Sequence, residues 1–262
     1  MYSIEHKKYL KKETIKNIKI KIIQISILII FLTIWQILSD KKIINTFIFS
    51  SPKNIIKCLI NLNKTNNLYQ HILTTTQETI ISFLLATIIG LLIACIMWYK
   101  KEIAKILDPY LTVLNSLPKV ALGPIIIIWY GANNKSIIFM ALLISLIITI
   151  INGYQAFTSV DENQIKLMKS LKATKYQILK YLIIPSNKKE IINILKINIS
   201  MSLIGVIMGE LLVSKKGLGY LIMYGSQIFN LNLVLTSIIL IGIISTIMYY
   251  IIVLLEKYMI KQ

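Results

Sequence analysis

Side chains able to do covalent or metal chemistry are few in this chain of 262 residues, and they stand far apart. The two cysteines, Cys58 and Cys95, and the two histidines, His6 and His71, share no ligand spacing, so neither a zinc-type site nor a disulfide framework is expected. No glycine-rich phosphate loop and no paired acid–base constellation occurs, and no cofactor is implied. What remains is polar residues set inside apolar stretches. Glu210 is the only carboxylate well inside such a stretch, where an ionised group costs at least ~2.5–3.5 kcal/mol. It is expected near the outer end of its helix, partly solvated, either facing a cavity or partner or making a structural hydrogen bond. Asn198, Ser200 and Ser202 precede Gly205 and Gly209 and are candidates to line a path, since polar side chains in a span face the bundle interior. Asn115 and Ser116 stand just before Pro118, which with Pro124 must break a helix and free its carbonyls. That break either lines a path or kinks the helix for packing.

A second group of residues lies in the segment 158–190. The run SVDE fits a capping box, with Ser159 as N-cap and Glu162 reaching back, and Asp161 and Glu162 then sit at the positive end of a helix. The run TKYQ repeats the pattern with Thr174 and Gln177. A helix is expected over about 160–171, with Ile165, Met168 and Leu171 along one side, and a second to about Ile184, stopped by Pro185. Such a hairpin either docks into a cleft on a partner or rests on anionic lipid.

These residues need elements to hold them, and the composition says where those elements lie. The chain is 56% hydrophobic and only 15% charged, against roughly 25% charged in soluble domains. Its net charge is +18, and all 29 basic residues are lysine, a bias that weakens any argument from a single lysine. Apolar runs near the ~20 residues needed to cross a bilayer separate those lysines, which points to a membrane and away from nucleic acid. Six spans are expected, over 22–38, 79–99, 110–130, 136–157, 191–213 and 233–255. The first is read as a retained anchor, because no small-x-small cleavage site follows it. With both termini inside, inner segments hold nineteen lysines and outer ones eight, two more lying within spans. The basic segment 1–21 is expected to contact anionic lipid and enforce that orientation. Within the spans, Lys119 and Lys196 are candidates to attract an anion, and snorkelling to the interface accounts for Lys196 equally well. Gly205 and Gly209, with Ala86, Gly90 and Ala94 in the second span, read as close-packing sites.

Three separated stretches carry a family resemblance: LNSLPKVALGPIIIIWYG at 114–131, VDENQIKLMKSLKATKYQILKYLIIP at 160–185 and GELLVSKKGLGYLI at 209–222. Together they resemble the permease subunit of binding-protein-dependent ABC importers, in the branch serving nitrate, sulfonates, taurine and pyrimidine precursors of thiamine. Weaker similarity extends from Ser51 to Pro109. The family's cytoplasmic motif keeps its spacing here, closed by Leu182, Ile184 and Pro185. Lys166, Leu167 and Met168 stand where the family has Glu-Ala-Ala, and Lys172 where it has a glycine at the turn between two coupling helices. A lysine there with φ > 0 costs ~1–2 kcal/mol, unless the turn changes type.

The resemblance implies an all-α integral membrane protein of about six spans with the fold of type I importer permeases. One permease domain occupies 22–262 and contains a coupling loop at 158–190. In that loop Ser159, Asp161, Glu162, Lys166, Leu167, Met168, Leu171, Lys172, Ala173, Thr174, Tyr176 and Pro185 face the coupling task. The implied partners are two ABC ATPase subunits, an extracytoplasmic binding protein, a second permease copy and membrane lipid. The chain itself would then be no enzyme, with ATP hydrolysis on the partner, and would carry a small anionic or heterocyclic solute through the cell membrane by alternating access. Glu210 gains the reading of a gate or binding-protein contact, because relatives carry a glutamate before this GLG stretch. A gradient-driven transporter would need an intramembrane relay of ionisable groups and often inverted repeats, and a membrane enzyme would need a catalytic cluster. The sequence offers neither.

Overall fold

A computed structural model describes residues 4–65 and 67–260, and among these every regular element is helical. The chain opens with α1 (Ile4–Asp40), which joins much of the basic segment and the first apolar run in one helix. Lys7, Lys8 and Lys11 fall outside the described side chains. A short α2 (Thr46–Phe49) and an amphipathic α3 (Pro52–Lys64) follow. Ser51 starts α3 by accepting the Asn54 N–H at 3.2 Å, and Pro52 takes the first-turn position, where a missing N–H is no loss.

α4 (Asn67–Tyr99) begins a dozen residues before the expected second span. One face of it carries His71, Thr75, Glu78, Ser82, Ala86, Gly90 and Ala94, spaced three or four apart, and every one is buried. The third span does not form as one straight helix. α5 (Lys101–Ser116) ends at Leu117, held extended (φ −65°, ψ 139°) by the proline after it. A 3₁₀ turn over Lys119–Leu122 then leads into α6 (Gly123–Tyr130), and the two halves are bent by 89°. α7 (Asn134–Thr158) follows and is the central helix.

The hairpin consists of α8 (Glu162–Ser170) and α9 (Lys175–Ile178), with α9 continuing as a π turn over Leu179–Ile183 into α10 (Ile184–Ser186). After it come α11 (Lys188–Val213), α12 (Leu218–Gln227) and α13 (Leu231–Ile260). Five helices, α1, α4, α7, α11 and α13, are long and apolar enough to cross a membrane, and the bent α5–α6 pair would be the sixth span.

α7 packs against both α4 and α11, which also touch each other, and small residues set both of its seams. A Cβ on Gly209 would lie 2.9 Å from Ile137 Cα, and one on Gly205 would collide with the backbone of Ala141. The second seam pairs Gly90 with Thr149 and Gly153 with Ala94 in the same way. Small residues let helix axes approach, which replaces the hydrophobic drive that lipid removes. A second apolar cluster joins α4, α11, α12 and α13 through Leu68, Ile199, Leu218, Leu221 and Leu240. From Ile22 to Ile37 the exposed surface of α1 is almost entirely apolar, as lipid contact demands.

Candidate functional site

The hairpin is built by local capping at both of its helices. Asp161, not Ser159, caps α8: its Oδ1 accepts the Asn163 N–H at 2.9 Å. Ser159 instead closes α7, its hydroxyl donating to the Ala156 carbonyl at 2.8 Å. α7 runs on to Thr158, so Ser159 is spent on its end, and the carboxylate two residues on takes the cap. Thr174 and Gln177 do form the expected capping box, with Thr174 N–H donating to Gln177 Oε1 at 2.7 Å and Gln177 N–H to Thr174 Oγ1 at 3.3 Å.

Between them the turn keeps a left-handed residue without a glycine. Lys172 has φ 59°, its N–H donates to the Lys169 carbonyl at 2.9 Å, and Ala173 N–H donates to the Met168 carbonyl at 3.0 Å. That pair of bonds is the Schellman arrangement, which glycine usually occupies. Ala173 and Met168 complete it by packing, half-buried, against the cluster of Ala94, Phe157, Ile178 and Ile183.

The expected stripe holds for Ile165 and Met168 and fails at Leu171, which is 71% exposed. α8 ends at Ser170, so Leu171 leaves the helical period. Pro185 does not stop the second helix either. The π turn before it, with Ile184 N–H donating to the Leu179 carbonyl, shifts the register and lets the chain stay helical to Ser186. Lys166, Leu167, Leu171, Lys172, Thr174 and Tyr176 are exposed, and Leu167, Leu171 and Tyr176 form an apolar ridge on the outside of the hairpin.

At the far end of the bundle Glu210 is 1% exposed, so it is not partly solvated. Its Oε1 accepts the Thr75 hydroxyl at 2.7 Å and its Oε2 the Gly219 N–H at 2.6 Å. Thr75 Oγ1 also accepts the Leu218 N–H at 2.9 Å, and His71 Nδ1 accepts the Gly217 N–H at 3.0 Å. Tyr220 stacks on the His71 ring, with centroids 5.9 Å apart. Gly217 has φ 105°, and a Cβ there would strike the Glu210 carboxyl, so the loop lies flat on that carboxyl only as glycine. Glu210 thus ties the 214–219 loop to α4 and α11.

A second carboxyl was missed in the sequence. Glu78 is 3% exposed, stands beside Glu210 and finds no donor for either oxygen within the described residues. Glu210 is therefore not alone inside the apolar region. The signal lay in the spacing of His71, Thr75, Glu78 and Ser82, one polar face running straight into the apolar run.

The expected path residues are not brought together. Asn198 is 1% exposed in the seam with α4, its Nδ2 donating to Thr87 Oγ1 at 2.6 Å, and Ser202 is buried in the same seam with no partner for its hydroxyl. Ser200 bonds back to the Lys196 carbonyl, and Lys196 pairs with Glu256 at 2.6 Å. That ion pair between α11 and α13 accounts for Lys196 without an anion. Asn115, Ser116 and Pro118 are exposed at the bend of α5 and α6. There Lys119 Nζ donates to the Asn115 carbonyl at 3.0 Å, so the break satisfies an acceptor it frees. A concavity lies elsewhere. A cavity of about 490 Å³ between α7 and α11 is lined by Asn152, Gln155, Ser159, Glu190 and Asn193 together with Ala156, Ile194 and Ile197.

Long apolar helices with a broken third span and a capped hairpin between two of them are the frame of a polytopic membrane protein. Residues 86–261 match the family described as binding-protein-dependent transport system inner membrane component, and the chain belongs to that family. It is the permease subunit of a binding-protein-dependent ABC importer, a multi-pass membrane protein. Among its relatives is the formylaminopyrimidine transport permease protein of Halalkalibacterium halodurans, 26% identical over 73% of this chain and 76% of that one. The taurine transport system permease protein of Escherichia coli is 23% identical over 85% and 83%. The nitrate import permease protein of Synechococcus elongatus is 26% identical over 79% and 78%. The fold matches a chain of the inward-facing MetNI methionine ABC transporter, with a TM-score of 0.68 at 15% identity over 75% of this chain and 97% of that one. It is the type I importer permease fold.

Proposed function

We propose that two copies of this chain form the translocation path for a small anionic or heterocyclic solute. An extracytoplasmic binding protein delivers the solute, and two separate ATPase subunits seat the hairpins and drive the cycle. ATP-driven closure of those subunits pulls the hairpins together and turns the path outward, and hydrolysis resets it inward. Both termini then lie in the cytoplasm, with the basic segment 1–21 against anionic lipid and one permease domain over 22–262. The names of the relatives support the solute class, since they transport a formylaminopyrimidine, taurine and nitrate. The α7–α11 cavity, with its amide side chains, is the candidate path on this chain. Asn115 and Ser116 at the bend are candidates to meet the solute from the other side.

The observation that carries the coupling role is the ridge of Leu167, Leu171 and Tyr176, exposed by 63%, 71% and 61% on a hairpin whose backbone is fixed at both caps. Apolar side chains held outward on a rigid turn fit a groove on a partner protein. The test is to express the tagged chain with the neighbouring ATPase and binding-protein genes and purify it in nanodiscs. One ATPase per permease, stimulated by a loaded binding protein, is expected. The double variant Leu167→Asp/Leu171→Asp should keep its thermal stability, because both side chains are exposed, and lose the ATPase. A parent chain that purifies without any ATPase would refute the reading.

A further inference from the structure

Where α4, α5, α7 and the hairpin meet, a cavity of about 430 Å³ opens on the flank of the bundle. Its floor is apolar, made by Phe157 and Ile178, each 2% exposed. Its rim is basic. Lys101 and Lys105 come from one turn of α5, Lys169 from α8 and Lys175 from the start of α9. Two carboxylates, Glu102 and Glu162, share the lining, yet the only ion pair among the described residues is Lys196–Glu256, so none of the four lysines is neutralised by a bridge. Lys175 Nζ instead stands over the Tyr99 ring, 5.6 Å from its centroid. No side chain caps α5, whose first turn opens at the same rim and adds the positive end of its dipole. Trp98 and Tyr99 end the apolar run of α4 here, the depth at which aromatic side chains mark the head-group region of a bilayer.

We propose that this cavity binds the phosphate group of an anionic phospholipid. The four lysines take the phosphate, and the apolar floor takes the start of the acyl region. The faces of α8 keep the site apart from the coupling ridge. Glu162, Ile165 and Lys169, spaced three and four apart, turn into the cavity, whereas Leu167 on the same helix, and Leu171 just beyond its end, are exposed and outside the lining. A lipid seated here touches α5 and both hairpin helices at once, and so braces the hairpin against the bundle while the ridge stays free. The inference needs the chain to lie in a membrane but not the proposed ATPase contact.

The test uses the full chain in nanodiscs of phosphatidylcholine with phosphatidylglycerol, followed by native mass spectrometry after detergent exchange. One phosphatidylglycerol per chain should survive washing in preference to phosphatidylcholine. Each lysine replaced by glutamine should weaken retention roughly fivefold, and the quadruple variant Lys101→Gln/Lys105→Gln/Lys169→Gln/Lys175→Gln should release the lipid. Lys175→Gln alone, at an exposed position, gives the same reading if the quadruple variant folds poorly. Replacing Lys41, Lys42, Lys53 and Lys57, in the segment between α1 and α4, should leave retention unchanged. Equal retention by the quadruple variant, or equal retention of phosphatidylcholine, would overturn the proposal. A second arm follows amine-reactive labelling of Lys175 in lipid-free detergent with inorganic phosphate added. Protection there, with no lipid retained in the first arm, would overturn the lipid and assign the pocket to a soluble phosphate.

Discussion

At the scale of single residues, two positions hold conformations or charges that their surroundings must answer. Lys172 occupies the left-handed position of a Schellman turn at φ 59°. A non-glycine residue there carries roughly 1–2 kcal/mol of backbone strain, partly offset because glycine loses more entropy on folding. Lys172→Gly should therefore raise the thermal midpoint of the purified permease slightly and leave transport intact. A large loss of transport with unchanged stability would mean that the lysine side chain itself has become a contact. Glu210 is the other position. Glu210→Ala leaves the Gly219 N–H without its acceptor and removes one partner of Thr75, at about 1–3 kcal/mol for each buried group left unpaired. Faster hydrogen exchange over 214–221 is the expected readout. Glu78→Gln should do the opposite. An amide at 78 removes the buried carboxylate that finds no donor and places an N–H beside the Glu210 carboxyl, so its thermal midpoint should match or exceed that of the parent.

At the scale of elements, the seams around α7 depend on having almost no side chain at a few points. Gly209→Leu places a branched side chain where even a Cβ lies 2.9 Å from the backbone of Ile137, so α11 must move off α7. Overpacking of this kind costs about 1–3 kcal/mol, more where backbone blocks relief. The variant should lose most of its monodisperse yield after extraction, whereas Gly242→Leu, with nothing within 4 Å, should not. The elements also show which local signals were legible. The capping box at Thr174 and the two prolines of the broken span act through their own neighbours, and they appear where the spacing put them. Ser159 was misread because two overlapping signals compete there, and the outcome depended on where α7 ends. Leu171 failed because a helical period applies only while the helix lasts.

At the scale of the molecule, the number of spans decides which segments share a side of the membrane. With the bent α5–α6 pair as one crossing, six spans bring both termini and the hairpin to the same side. Single cysteines introduced in a chain freed of Cys58 and Cys95 test this. Lys172→Cys and Lys257→Cys should react with a membrane-impermeant thiol reagent only from the cytoplasmic side, and Lys216→Cys only from the opposite side. Lys64→Cys, between α1 and α4, should also react only from that opposite side; its labelling from the cytoplasmic side, with Lys172→Cys still cytoplasmic, would make the bent pair re-entrant and leave five spans. The lysine excess of inner over outer segments favours the first outcome.

The amino-acid sequence alone determined that the chain enters a membrane, close to where its spans lie, and that a capped hairpin interrupts them. Those properties come from composition, from apolar run length and from caps that act within one turn, all of which are local. The tertiary structure decided which polar residues meet. Thr75 and Glu210 are 135 residues apart, and their hydrogen bond exists only because α4 and α11 pack side by side. The same packing turned Asn198 and Ser202 into a buried seam, set Glu78 against Glu210 and left the α7–α11 cavity with Asn152, Gln155 and Asn193 in its lining. A helix presents every azimuth in turn, so periodicity places residues on a common face. Which face is buried, and against what, is settled only when the other helices arrive.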